Sequence, residues 1–252
     1  MTDASPSSTQ ARTHRFHVRM AVACAVIAFG GFAPTYWLPV LAGRPAVAPI
    51  IHLHGLLFST WVLFFVLQSW LAASGRVARH RSLGLIGISL ATAMLIVGIA
   101  AQVHSLKVGI AAGREEENRA FSIVPITFVL FFAGTVAVAI ANVARPEIHK
   151  RLMLVATTAI LPPAIARLIA LATSVPLAAG HPPPLVFSLA PSFAANLVLL
   201  VAIVCDRRLH RRWSRTYLVS GGCLVLLELV RIPVARTSAW HAVTSGLLAL
   251  AG

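Results

Sequence analysis

Long apolar runs broken by short polar clusters dominate the chain. A helix needs about 20 apolar residues to cross the hydrocarbon core of a bilayer. Seven segments meet that length, at roughly 19–41, 51–73, 83–105, 121–143, 151–173, 186–205 and 216–235. The pattern predicts an all-α, polytopic transmembrane bundle of about seven spans as a single domain over 19–236. Residues 1–18, polar and Ser/Thr-rich, read as a disordered tail. Residues 237–252 are too short to cross and read as an interfacial segment, or one dipping into the bundle. The first apolar run continues to Tyr36, Trp37 and Pro39 without a small-residue cleavage site, so it reads as a retained helix.

Composition agrees. The 252 residues are 58% hydrophobic and 11% charged, with a mean hydropathy of +0.84. The net charge of +14 does not indicate nucleic acid, because the basic residues fall between apolar runs, as topology determinants do. With the N-terminus inside, 14 of the 21 Lys+Arg lie on the cytoplasmic side. Five lie opposite, and Arg167 and Arg231 fall within spans. This bias predicts N-terminus in and C-terminus out, in a bacterial inner membrane, with anionic lipid against the basic loops. That orientation, with no lysine in the last span, disfavours a rhodopsin. Cys24, Cys205 and Cys223 form no CxxC pair. No GxGxxG, Walker A, HExxH or GxSxG motif is present, so a nucleotide or flavin would need another subunit.

Prolines punctuate the fourth, fifth and sixth spans at Pro125, Pro162-Pro163 and Pro191, and the double proline predicts a kink. Gly84, Gly87 and Gly98 allow close packing along the third span.

Histidines mark the helix ends. They occur in His52-Leu53-His54-Gly55, His80-Arg81-Ser82-Leu83-Gly84 and His149-Lys150-Arg151-Leu152-Met153. Histidine is costly in lipid and ligates haem iron and other metals. Topology sorts these residues into an outer layer of His52, His54 and His104, with His181 and His241 in reach, and an inner layer of His80 and His149. Two layers on different helices suit a pair of bis-histidine haem b groups. Residues two apart on a helix point about 200° apart, so at most one of His52 and His54 faces the bundle unless the helix begins between them. The same residues serve equally well as helix-end caps or headgroup contacts. His14, His17 and His210 lie in basic segments and read as solvated.

Charged residues within spans need partners. Glu228, Arg231 and Arg167 share the outer half, and pairing of Glu228 with Arg167 or Arg231 is expected. Arg167 is alternatively a site for an anionic group. Gln68 and Asn196 are candidates for interhelical hydrogen bonds.

The run from His52-Leu53-His54-Gly55 through Phe58, Trp61, Gln68 and Gly75-Arg76 to His80-Arg81-Ser82-Leu83-Gly84, together with Arg145-Pro146-Glu147-Ile148-His149-Lys150-Arg151-Leu152-Met153, resembles a widespread family of uncharacterised bacterial integral-membrane proteins. That family's layout is similar to cytochrome b-type transmembrane reductases. The resemblance implies haem b held by His52, His54, His80, His104 and His149, with Arg167 near a propionate, and electron transfer with a redox partner or membrane complex. Three other functions stay open: a small-molecule transporter or binder at Arg167 and Glu228, a non-haem metal site on His52 and His54, and an accessory subunit.

Overall fold

The structure, a computed structural model, describes residues 8–44, 47–175 and 180–250, with side chains of the first helix from Arg12 onward. Ten α-helices and no strand occur among the described residues: α1 (Ser8–Phe32), α2 (Leu38–Leu41), α3 (Pro49–Ala73), α4 (Val77–Ala111), α5 (Glu115–Ala141), α6 (Pro146–Ala159), α7 (Pro162–Thr173), α8 (Leu189–His210), α9 (Arg215–Val234) and α10 (Ser238–Leu250). A π-helical turn, Ala33–Trp37, joins α1 to α2, and a 3-10 turn, Leu185–Ser188, leads into α8. Proline opens α3, α6 and α7 in the first turn, where its missing N–H has no helical acceptor to lose.

Among the described residues, six helices are long and apolar enough to cross a membrane, so the chain is built as a multi-pass membrane protein. The expected fifth span is two helices, α6 and α7, bent by 41°, which meet the same test only when taken together. The bend falls at Ile160-Leu161, where Pro162 and Pro163 withhold the amides that would continue α6. Pro191 causes no such break, because it sits in the first turn of α8.

Two expected boundaries move. Helix α1 begins at Ser8, so residues 8–18 are helical rather than tail. Thr13 and His17 pack inward there, and an unbroken helix satisfies their backbone. Residues 1–7 and 251–252 of the expected end segments lie outside the described residues. The C-terminal segment is the helix α10, docked on α5. Trp240 Nε1 donates to the Arg119 carbonyl at 2.8 Å, and Arg119 Nη1 donates to Thr244 Oγ1 at 2.8 Å.

Neighbours in sequence pack as neighbours in space along α3, α4, α5 and α6. Helix α1 closes the bundle against α3 and α7, and α8 and α9 pack against α6. One end carries the basic turns between α3 and α4, α5 and α6, and α8 and α9; it is the basic end. The other carries the start of α3 and the α7 C-terminus; it is the His54 end. Gly31 lets α1 meet α7, since a Cβ there would lie 2.3 Å from the Ala164 carbonyl oxygen. Gly98 and Gly87 make similar approaches to Val129 and Phe64, whereas Gly84 faces open space.

Candidate functional site

The bend between α6 and α7 opens a cavity at the His54 end. Its volume is about 330 Å³, at the lower end of the range for small-molecule sites. Helices α1, α3, α4, α5 and α7 wall it. Phe29, Phe58, Val62, Phe128 and Val129 make the apolar surface. Thr35, Tyr36, His54, Gln102 and Arg167 supply the polar groups.

Each polar group is placed by its helix. His54 follows the proline-started first turn of α3. Its ring stacks on Phe58 one turn later, with centroids 4.1 Å apart, and its Nδ1 is buried without a hydrogen-bond partner. His52 turns away from it and meets the Tyr36 hydroxyl, which lies 2.9 Å from His52 Nδ1. The expected divergence of the two histidines is therefore observed. Arg167 lies one turn past Pro163 on α7. Its Nη1 donates to the Pro163 carbonyl at 2.9 Å and its Nε to Thr35 Oγ1 at 3.1 Å. Its guanidinium carbon sits 4.2 Å from the centroid of the Phe32 ring. The π-helical turn presents Thr35 and Tyr36 together on the cavity side.

The expected pairing of Arg167 with Glu228 is not formed. Glu228 is fully buried between α8 and α9, where its Oε2 accepts from Asn196 Nδ2 at 2.7 Å. Asn196 thus makes the interhelical bond expected of it. Arg231, one turn beyond Glu228, is also buried but makes no ion pair within 4.0 Å among the described residues. It turns instead to α8, where Nη2 donates to Ser192 Oγ at 2.9 Å and to Ser188 Oγ at 3.1 Å, and it lies over the Phe128 ring. Neutral hydroxyls and a π face therefore take the place of a carboxylate. Gln68 departs from expectation as well, because its buried amide has no side-chain partner.

The histidines expected in the outer layer do not converge. Gln102 and Ser105, not His104, reach the cavity from α4. His241 instead faces Glu116, 3.4 Å away. Among the described residues, no group of three or more His, Cys, Asp or Glu side chains is placed to hold a metal ion. A three-ligand site on His52, His54 and another outer histidine is therefore not assembled.

The two histidines expected in the inner layer do come together. His80 at the start of α4 and His149 at the start of α6 have ring centroids 6.3 Å apart, at 84°. His149 Nδ1 donates to the Ala139 carbonyl at 2.9 Å, and His80 Nδ1 lies 3.3 Å from the Gln68 carbonyl. A proton committed at Nδ1 leaves Nε2 as the basic nitrogen of each ring, the arrangement common in ligating histidines.

The basic end holds an ionic cluster that charge counting along the chain misses. Arg151 donates through Nη2 to Asp206 Oδ1 at 2.8 Å and contacts Glu147 Oε2 at 2.8 Å. Lys150 also pairs with Glu147. His210 lies 3.3 Å from Asp206 Oδ1, so it is not simply solvated. His17 is buried, with Nδ1 donating to the Thr13 carbonyl at 3.0 Å. One sequence signal was available, namely Asp206 as the lone acid beside Arg207 and Arg208 at the end of an apolar run.

No family description, curated protein sequence or solved structure matches the chain.

Proposed function

We propose that this chain is a multi-pass bacterial inner-membrane protein that binds, and in one mode of use transports, a small amphipathic molecule in the cavity beside His54 and Arg167. We read α6 and α7 as one broken span, which gives seven spans with the N-terminus inside and opens the cavity toward the outer half of the bilayer. The cavity is the observation that carries this reading. It is walled mainly by hydrocarbon, with its polar groups supplied by three helices and the π-helical turn, which is the general character of small-molecule sites. A broken helix that exposes backbone inside a membrane protein fits a solute-lined cavity better than a lipid-facing surface.

Organic extraction of the purified protein followed by mass spectrometry tests the reading. The native protein should carry a small lipophilic compound in near-stoichiometric amount. Ala101→Trp, which fills the cavity from α4, should lose it while keeping a cooperative thermal transition. Equal recovery from both proteins would refute the cavity as the site.

A second reading rests on His80 and His149. Their two imidazoles, with Nδ1 held by backbone carbonyls, fit the donor set of a bis-histidine haem b, whereas His52 and His54 do not, having no facing histidine in the cavity. Haem would supply one-electron transfer at the basic end, where a redox partner could dock against the arginine-rich loops. The chain's own part is to orient two imidazoles. An absorption spectrum after haem supplementation decides this reading: a Soret band lost in His149→Ala supports it, and no band in the native protein overturns it.

A further inference from the structure

We infer that the cavity's ligand is a monocarboxylate amphiphile, its acid group held by Arg167 and His54 and its hydrocarbon part lying against Phe58, Val62 and Val129. This inference rests on the cavity being the binding site and names the chemistry of what enters it.

Charge is the first argument. Arg167 belongs to a membrane-crossing element, lines an apolar cavity and has no carboxylate within 4.0 Å among the described residues. Glu228, the acid placed at the same level by sequence, is held by Asn196 in a separate interface. What the protein gives the guanidinium is neutral: the Thr35 hydroxyl, the Pro163 carbonyl and the face of Phe32. These contacts fix its direction but leave a whole positive charge uncompensated in surroundings where an unpaired charge is costly. A bound anion removes that cost.

The second argument is the neighbouring donor. His54 lines the cavity with its ring, while its Nδ1 is closed off in the packing without a partner. With Nδ1 closed off, the other ring nitrogen, Nε2, carries the proton and donates one hydrogen bond to the ligand. One guanidinium and one neutral imidazole match the single charge and two oxygens of a carboxylate. A dianionic phosphate would leave one charge unmatched. The third argument is size and lining. The cavity is about 330 Å³ and its wall is mostly apolar, which suits a single short chain or a compact ring acid rather than a diacyl lipid.

Calorimetric titration of the full chain in neutral detergent, with decanoate and decanol as probes, tests the assignment. The two share a tail and differ in the head. The native protein should bind decanoate about tenfold tighter, the worth of roughly one hydrogen bond to a charged group. Arg167→Gln should abolish that preference by weakening decanoate far more than decanol. Arg167→Lys should keep part of the preference, since it holds the charge without the planar fork, and it guards against a glutamine variant that fails to fold. Equal binding of both probes by the native protein would overturn the carboxylate assignment while leaving the cavity as the site. Binding of neither by folded protein would overturn the cavity reading as well. A decanoate preference that survives Arg167→Gln would remove Arg167 from the site.

Discussion

Arg151 on α6 and Asp206 on α8 form a buried ion pair, with Arg151 Nη2 2.8 Å from Asp206 Oδ1 and the two residues 6% and 2% exposed. The pair ties α6 to the end of α8. Glu147 and His210 surround it, so the charges have several partners rather than one. Removing one member leaves the other buried with only its secondary partner, Glu147 for Arg151 or His210 for Asp206, so the cost is at most the roughly 3–5 kcal/mol of a broken buried pair. Arg151→Ala and Asp206→Ala should each lower the unfolding midpoint markedly. The double variant Arg151→Met/Asp206→Leu should recover much of the loss. Additive losses in thermal unfolding would show that the two charges are not coupled.

The α1–α7 contact sets up a paired test. A Cβ on Gly31 would collide with the backbone of Ala164, while one on Gly30 meets nothing within 4 Å. Gly31→Ala should cost about 1–3 kcal/mol through forced displacement. Because Ala164 lies one turn before Arg167, the same displacement should weaken ligand retention. Gly30→Ala should leave both properties intact. Equal melting temperatures for the two variants would contradict the close approach.

Below the cavity, Trp61 Nε1 donates to Thr157 Oγ1 at 3.2 Å, and its ring meets Phe132 edge to face at 4.7 Å between centroids. Trp61→Phe removes the donor and keeps most of the ring, so about 1 kcal/mol is expected. Trp61→Ala also empties a fully packed site, with about 3–5 kcal/mol expected. Denaturation curves for the two should separate clearly; near-identical stabilities would mean that packing at Trp61 contributes little.

Glu228 offers a test of charge against hydrogen bonding. Asn196 Nδ2 needs an acceptor, and glutamine supplies one. Glu228→Gln should therefore stay within about 1 kcal/mol of the native protein, whereas Glu228→Leu strands a buried amide and should cost about 1–3 kcal/mol. A glutamine variant as unstable as the leucine one would show that the negative charge, felt by Arg231 one turn away, is what matters.

The span positions were legible because crossing a bilayer imposes a length and a polarity that no tertiary contact can relax. The kink was legible too, since two prolines withhold amides wherever they stand. Partner choice was not. Sequence put Arg167, Arg231 and Glu228 in the same half of the bundle, but depth is a single coordinate, and rotation about each helix axis decides who meets whom. That rotation sent Glu228 to Asn196 and Arg231 to Ser188 and Ser192. It left Arg167 with Thr35, on a π-helical turn that no periodicity announces.

The histidines divide along the same line. Sequence alone placed His80 and His149 at one end of the bundle and required His52 and His54 to diverge, because helix pitch and topology are local properties. Only the packing of α4 against α5, and of α5 against α6, brought the inner pair to 6.3 Å. Only the α6–α7 bend, held by the α1 contact at Gly31, made a cavity for His54 to face. Hydrophobic burial in lipid fixes which segments cross; side-chain packing between helices, a short-range and cooperative matter, fixes which polar groups share a space.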